Sequence, residues 1–289
     1  MRLRVALLSL VTLGGVACVP PEPEVNLGRA YDELTVMGEI QERGHVVIGI
    51  ADDAYPLGYV DQNDQAQGFS AELGRRIAET LDVEARFITG TSDQLLDLPQ
   101  EGTADIVFPA VTITEELVDS KYQFSDPYFI SHQRLLAPSQ GFRIIDSVEQ
   151  LEGETVCAIG SEETQVSFDT FEHGIEVVNA EPLQCLHFLE RADVAAITGP
   201  DFLLAGLRLG NEEEFAIVGD QLTTEGIGAV IERGASGWVD FVNAVFEEAE
   251  EDGLWASAFR DSIGQGLEVA AEPPEITAEE AAALYPSGV

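Results

Sequence analysis

Apolar runs alternate along the chain with segments whose apolar residues recur every three or four positions. The runs predict buried strands, at residues 46–50, 83–89, 105–111, 133–137, 154–159, 174–179, 193–198, 215–218 and 226–231. The recurring segments predict helices or helical turns, at residues 30–43, 70–81, 92–100, 147–151, 182–191, 202–209, 237–252 and 254–262. Strands and helices in this alternation are typical of parallel sheets covered by helices, so the predicted fold class is α/β.

A polar segment follows the predicted strand at residues 105–111. Residues 112–129 read TITEELVDSKYQFSDPYF, and Thr112 and Thr114 lie where open α/β sheets place ligand-binding groups. The alternative is that both hydroxyls form local hydrogen bonds at the end of the strand and contact no ligand. The segment is predicted to line one wall of a binding site and to lead into a hinge.

The loop after the first predicted strand, residues 51–59, holds a second set of candidate groups. Asp53 and Tyr55 could contact a cationic or hydroxylated solute. The alternative is an ordinary Asx turn and a packed tyrosine, since aspartate is common in such turns. A helix capped by Ser70 is expected soon after this loop.

The charge balance restricts the partners. The chain has 289 residues with 53 acidic and 14 basic side chains, a formal net charge of −39. Nucleic acid is not an expected partner, because binding to phosphates depends on Lys and Arg, and an anionic membrane surface is equally unsuited to the folded part. The acidity is consistent with a solvated surface in salty surroundings, or with an electrostatic bias towards neutral or cationic ligands.

The sequence offers little support for metal or cofactor chemistry. Its four histidines, His45, His132, His173 and His187, are scattered without the spacing of metal ligands. It contains neither a GxSxG nucleophile motif nor a phosphate-binding P-loop. No metal and no cofactor are therefore expected.

The N-terminus indicates export. Arg2 and Arg4 precede a short apolar stretch at residues 5–13, and small residues then lead to Cys18. Residues 1–17 resemble a bacterial lipoprotein signal peptide, so Cys18 is expected to be lipid-modified and to anchor the protein outside the cytoplasm, at the cell surface or in the periplasm. Ordinary secretion with cleavage near Ala17 is the alternative. Residues 18–43 are expected to form a tether and a lead-in helix.

Apart from Cys18, the sequence has two cysteines, Cys157 and Cys185, which is an even number in a chain expected to be exported. That arrangement favours one disulfide over the alternative of two free buried thiols.

The order of segments resembles the family 3 extracellular solute-binding proteins, the amino-acid receptors of bacterial ABC importers. The resemblance covers residues 44–264 and depends on six stretches: VVIGIADDAYPLGY, QGFSAELGRRIAETL, FPAVTITEELVDSKYQFSDPYF, SVEQLEGETVCAIGS, LTTEGIGAVIERG and EEDGLWASAF. Within the family, the loop at residues 53–59 and the cysteine pair look most like the glutamate-binding branch.

The resemblance implies a periplasmic-binding-protein type II fold, in which two α/β lobes are joined by two crossing strands and hold a solute in the cleft. Lobe 1 would comprise residues 44–128 plus 226–264 and lobe 2 residues 133–221, with an acidic tail at residues 265–289. It further implies hinge closure around the solute, an ABC permease as membrane partner, and a monomer.

The amino-acid anchors implied by the resemblance are mostly replaced in this chain. Leu117 occupies the position of the arginine that would bind an α-carboxylate, and Thr198 that of the aspartate that would bind an ammonium group. The family's Gly-Ser-Thr turn has Glu162 after Ser161, and Glu162 would repel an anion. Asp201 could replace the aspartate only if the loop is shifted. The ligand is therefore expected to differ from a free α-amino acid, being neutral or cationic, unless the fold serves another role.

The predicted function is that of a non-enzymatic solute receptor. The fold that the resemblance implies also hosts a dehydratase of the cyclohexadienyl type, so an enzyme is one alternative, although the missing arginine argues against an enzyme too. The other alternative is a sensor or interaction domain, since the fold alone does not distinguish a receptor, an enzyme and an interaction domain.

Overall fold

The computed structural model of the chain describes residue 27 and residues 30–140, 145–160 and 174–267. The strands are β1 His45–Ala51, β2 Tyr59–Val60, β3 Ala66–Gln67, β4 Glu84–Gly90, β5 Ile106–Phe108, β6 Gln123–Phe124, β7 Phe129–Ser131, β8 Gln133–Pro138, β9 Thr155–Ala158, β10 Glu176–Asn179, β11 Ala196–Pro200, β12 Phe215–Val218, β13 Glu225–Ile227 and β14 Val230–Ile231. The helices are α1 Val36–Arg43, α2 Phe69–Leu81, α3 Ser92–Leu95, α4 Glu115–Asp119, α5 Pro182–Glu190, α6 Asp201–Arg208, α7 Ser236–Glu251, α8 Leu254–Asp261 and α9 Ile263–Leu267, with a 3-10 turn at Val148–Leu151.

The first sheet has the strand order β4-β1-β5-β14-β6. Strand β1 runs parallel to β4 and β5, whereas β14 runs antiparallel to β5 and β6. The β-branched side chains of β1, Val46, Ile48 and Ile50, are fully buried. Helix α2 approaches this strand closely at Gly74, where an added Cβ would lie 3.1 Å from Ile48. The predicted β-α-β order therefore produces a parallel core that the return strand extends.

The second sheet has the strand order β10-β9-β11-β8-β12. Strand β9 is parallel to β10 and β11, and β8 is antiparallel to β11 and β12. A disulfide joins Cys157 of β9 to Cys185 of α5, and both residues are fully buried. Closing this loop of 28 residues stabilises the fold by about 3 to 4 kcal/mol on the chain-entropy estimate.

Two short strands connect the sheets. The chain passes from the first sheet to the second through β7 and returns through β13, and the two strands pair antiparallel, with Ser131 opposite Glu225. The molecule is thus an α/β protein of two lobes with a hinge of two crossing strands. The residue limits expected for the lobes stay a prediction.

Helix α6 belongs to the packing of both lobes. Its Phe202 and Ala205 contact the hydrophobic core beneath the first sheet. Its Leu204 and Leu207 contact the core that surrounds the disulfide. One helix therefore connects the two cores beside the hinge.

Several predicted strands have other limits in the structure, and for two of them the backbone gives the reason. The strand expected over residues 105–111 ends at Phe108, because Pro109 has no N–H for the ladder and Ala110 adopts φ 54°. The strand expected over residues 226–231 is divided into β13 and β14, which lie in different sheets. They are separated at Gly228, where an added Cβ would lie 2.8 Å from Ile113.

The expected cap at Ser70 is wrong. Helix α2 begins at Phe69 after Gly68, whose φ of 101° suits glycine, and Ser70 lies inside the helix. The Ser70 hydroxyl is buried 3.1 Å from the hydroxyl of Tyr128. It thus links α2 to the chain that enters the hinge.

Several expectations concern segments outside the described residues. They are the signal peptide at residues 1–17, the lipid-modified Cys18, Ser161 and Glu162 of the implied turn, and the acidic tail beyond residue 267. Within the described part, no helix has both the length and the hydropathy needed to cross a bilayer.

Candidate functional site

Polar side chains converge where the chain crosses between the lobes. Thr112, which follows the first sheet, forms an isolated β-bridge with Ile227 of β13. The segment before β13 carries Thr223, whose hydroxyl accepts a hydrogen bond from the backbone N–H of Gln133 at 2.9 Å. This crossing places groups from both lobes within hydrogen-bonding reach of the hinge, and it is the candidate binding site.

Glu225 is the charged residue at the centre of these contacts. Thr112 Oγ1 donates to Glu225 Oε2 at 2.9 Å, and Thr223 Oγ1 donates to Oε1 at 2.7 Å. The side chain is half-buried. Glu225 was not among the residues predicted from the sequence, although a carboxylate directly before the apolar run GIGAVI is a signal that could have identified it.

Thr114 and Leu117 form the local structure that follows Thr112. Thr114 caps α4 by accepting a hydrogen bond from the backbone N–H of Leu117 at 3.3 Å. Leu117 is partly buried and packs against the core of the first lobe. The position for which the resemblance implies an arginine therefore presents an apolar side chain, which cannot donate to a carboxylate.

Asp53 and Tyr55 lie in the loop after β1. The carboxylate of Asp53 accepts hydrogen bonds from the backbone N–H and the hydroxyl of Ser92, at 3.1 and 2.9 Å. The ring of Tyr55 meets that of Tyr59 edge to face at 5.0 Å, and burial, followed by the charge of Tyr59, raises the pKa of Tyr55. Tyr55 is 44% exposed, so part of its side chain remains accessible to solvent.

Thr198 is buried and satisfied within the protein. Its hydroxyl accepts from the side-chain amide of Gln133 at 3.0 Å and donates to the carbonyl of Arg134 at 3.1 Å. Among the described residues, the Gln133 Oε1 atom is buried without a hydrogen-bond partner. The position for which the resemblance implies an ammonium-binding aspartate is thus neutral. Ser161 and Glu162 lie outside the described residues and stay predictions.

Asp201 lies beside the hinge rather than at the position of Thr198. It is 4% exposed at the start of α6, and its carboxylate accepts a hydrogen bond from Ser131 Oγ at 2.9 Å. Burial raises the pKa of Asp201 to about 6, against the opposing effects of Ser131 and His132. The ring Nδ1 of His132 lies 2.8 Å from the carbonyl of Thr223.

A separate groove of about 590 Å³ lies between α2 and α8 on the first lobe. Arg76 lines it and is paired with Asp252 at 2.5 Å and with Glu248 at 3.2 Å. None of the site residues predicted from the sequence lines this groove. Within the described residues, no cluster of His, Cys, Asp and Glu is arranged to hold a metal ion.

Curated proteins of known class resemble this chain over most of its length. The ABC transporter glutamine-binding protein GlnH of Bacillus subtilis is 26% identical over 241 residues, which cover 78% of this chain and 84% of GlnH. The L-cystine-binding protein TcyJ of Escherichia coli is 23% identical over 228 residues, covering 78% and 85%. The glutamate-binding protein GluB of Corynebacterium efficiens is 24% identical over 245 residues, covering 80% and 83%.

Solved structures show the same fold. The arginine-bound form of truncated ArgBP from T. maritima is 26% identical with a TM-score of 0.60, covering 73% of this chain and 98% of that one. An ancestral arginine-binding protein bound to arginine is 28% identical with a TM-score of 0.61, covering 76% and 98%. An ancestral amino-acid-binding protein, a precursor of cyclohexadienyl dehydratase, shares the fold at 24% identity and a TM-score of 0.66, covering 78% and 99%.

The family model described as bacterial extracellular solute-binding proteins, family 3, matches residues 46–265. The matched region contains both sheets, the disulfide and both crossing strands. This chain belongs to the bacterial extracellular solute-binding proteins of family 3.

Proposed function

We propose that this protein is the solute receptor of an ABC importer, held outside the cytoplasm by a lipid on Cys18. It binds one small polar solute between lobe 1 (residues 44–128 plus 226–264) and lobe 2 (residues 133–221). It acts as a monomer and as a binding protein rather than an enzyme, and it presents the closed form to a membrane permease.

The observation that carries this proposal is the hinge of β7 and β13 with polar groups of both lobes beside it. A solute that contacts both lobes gains those contacts only in the closed form, so binding shifts the population towards closure. The family and the transport roles named for its members support the same conclusion.

The solute is held differently from a free α-amino acid. The named relatives bind glutamine, cystine and glutamate, and two of the solved structures bind arginine. In this chain, Leu117 packs against the core and Thr198 is neutral and internally bonded. We propose that Asp53, Tyr55, Thr112, Thr114, Ser161 and Glu162 line the cleft together with these two positions.

A thermal-shift screen of the purified protein over amino acids, polyamines, betaines and sugars tests the proposal. At least one solute should raise the Tm in a concentration-dependent manner, because a ligand of the native state stabilises by about 2.7 kcal/mol at one hundred times its Kd. If no solute in these classes shifts the Tm, the receptor function is wrong. Turnover of prephenate or arogenate would instead indicate an enzyme.

A further inference from the structure

Glu225 carries its carboxylate on β13, one of the strands that join the lobes. Thr112 and Thr223 each donate one hydroxyl hydrogen to a different carboxylate oxygen, at 2.9 and 2.7 Å. A carboxylate offers about four acceptor positions, so each oxygen retains a lone pair for a further donor. The side chain is therefore oriented by the two threonines without being neutralised.

The charge of Glu225 has no counterpart among the described residues. None of their lysine, arginine or histidine side chains forms an ion pair with it. Among the titratable groups beside the hinge, His132 contacts the carbonyl of Thr223 and Asp201 accepts a hydrogen bond from Ser131. The half-buried carboxylate has two hydrogen bonds but no opposite charge beside it, whereas buried charges are normally both hydrogen-bonded and paired. A cation with hydrogen-bond donors would complete this arrangement.

The positions implied to hold an amino acid do not supply a competing anchor. Leu117 is apolar and packs against the first core, and the hydroxyl of Thr198 is used within the second lobe. The overall excess of 53 acidic over 14 basic residues further attracts cations towards the protein. Both observations favour a positively charged solute over an anionic one.

We infer that the cleft selects solutes carrying a protonated amine or a guanidinium group, and that Glu225 is the residue that receives this charge. The N–H groups of such a cation match the remaining lone pairs of the carboxylate, and charge-assisted hydrogen bonds of this kind are about twice as strong as neutral ones. The inference rests on the proposed function and specifies the solute class of that site.

Calorimetric titration with matched solute pairs tests the solute class. Butylguanidinium is compared with butylurea, and putrescine with 1,4-butanediol, so that the members of each pair have similar size but only one of them carries a positive charge. The wild-type protein should bind the cationic member of at least one pair tenfold or more tightly than the neutral member. This comparison needs no variant and therefore does not depend on the folding of one.

The Glu225→Gln variant tests the residue. Its amide can accept from one threonine and donate to the other, so the local geometry is retained while the charge is lost. Binding of the cationic solute should weaken at least tenfold, and binding of its neutral partner should change less than twofold. Glu232→Gln is the matched control, because Glu232 is an exposed glutamate on the same return segment, and it should behave as the wild type.

Three results would overturn the inference. If the wild-type protein binds a neutral or anionic solute without preferring cations, the solute class is wrong while the receptor function stands. If it binds no solute of any class, both proposals fail. If Glu225→Gln weakens cationic and neutral solutes equally, or leaves the preference intact, Glu225 does not receive the charge.

If Glu225→Gln does not fold, a second variant tests whether Glu225 receives the charge of the solute. Thr112→Val removes one of the two hydroxyl donors but retains the carboxylate. It should weaken the cationic solute more than its neutral partner, because a less oriented carboxylate forms poorer charge-assisted bonds. Equal affinity changes for both members of a pair would contradict the role of the carboxylate.

Discussion

Asp201 illustrates how burial controls one ionisable side chain at the hinge. It is 4% exposed and hydrogen-bonded to Ser131, and burial raises its pKa to about 6, above the value near 3.9 of an unfolded chain. The folded protein therefore holds this proton more tightly than the unfolded one. The resulting stabilisation is complete below about pH 4 and is lost as the pH rises through about 6.

Replacing Asp201 with asparagine should remove this pH dependence. Asparagine retains an oxygen for Ser131 but carries no charge, so the free energy of unfolding of Asp201→Asn should rise relative to wild type by on the order of 2–3 kcal/mol between pH 4 and pH 7. Urea denaturation at intermediate pH values measures the difference. The exposed Asp220→Asn substitution serves as control, and the same slope in both variants would contradict the prediction.

The residues at the hinge also show what a sequence pattern leaves open. Thr112 could be recognised as a polar residue that follows a buried strand, but its contact with Glu225 could not be recognised, since the two lie 113 positions apart. The replacement of the implied arginine by Leu117 was visible in the sequence, whereas the packing of Leu117 against the core was not. The sequence thus shows the identity of each residue and its place near a predicted element, but it does not show which distant residues contact each other.

At the scale of elements, α6 is the helix that both lobes share. Its Phe202 and Ala205 pack in one core, while Leu204 and Leu207 pack in the other. At Gly206 the helix approaches the loop after β1 so closely that an added Cβ would lie 2.5 Å from the carbonyl oxygen of Tyr55. A side chain at this position would separate the loop from the helix.

The Gly206→Ala substitution should therefore destabilise the protein by about 1–3 kcal/mol, the usual cost of overpacking a close contact. Gly237→Ala in α7 is the matched control, because nothing lies within 4 Å of its added Cβ. Alanine there should be neutral or should stabilise by up to about 1 kcal/mol, as alanine favours helices. Chemical denaturation compares the two, and equal effects would contradict the close packing of α6 on the loop.

Most elements were predictable because their signals are local. The strand Phe215–Val218 matches its predicted limits. Helices α5 and α8 end one residue before their predicted limits, and α6 and α7 are displaced by one residue at both ends. Errors occurred where backbone geometry depends on distant groups. Gly228 divides the return strand because Ile113 and Ser125 lie against it, and neither residue is near it in the sequence.

At the scale of the whole molecule, the net charge of −39 acts on every element at once. Like charges repel in the compact state, and this repulsion weakens as salt shortens the Debye length from about 30 Å at 0.01 M to about 10 Å at 0.1 M. The Tm should accordingly rise over this range of NaCl concentration. KCl should raise the Tm by a similar amount, since both salts screen charges. An unchanged or lower Tm would contradict the proposed repulsion between like charges.

The sequence by itself determined the α/β class and most of the element order, and it shows leucine at position 117, where the resemblance implies an arginine. These follow from periodicity, turn residues and identities that act over a few positions. Only the tertiary structure decided that Thr112 and Thr223 orient Glu225 and that Thr198 is satisfied by Gln133, 65 positions away. Such contacts depend on strand register and on the packing of two lobes, which no local pattern encodes.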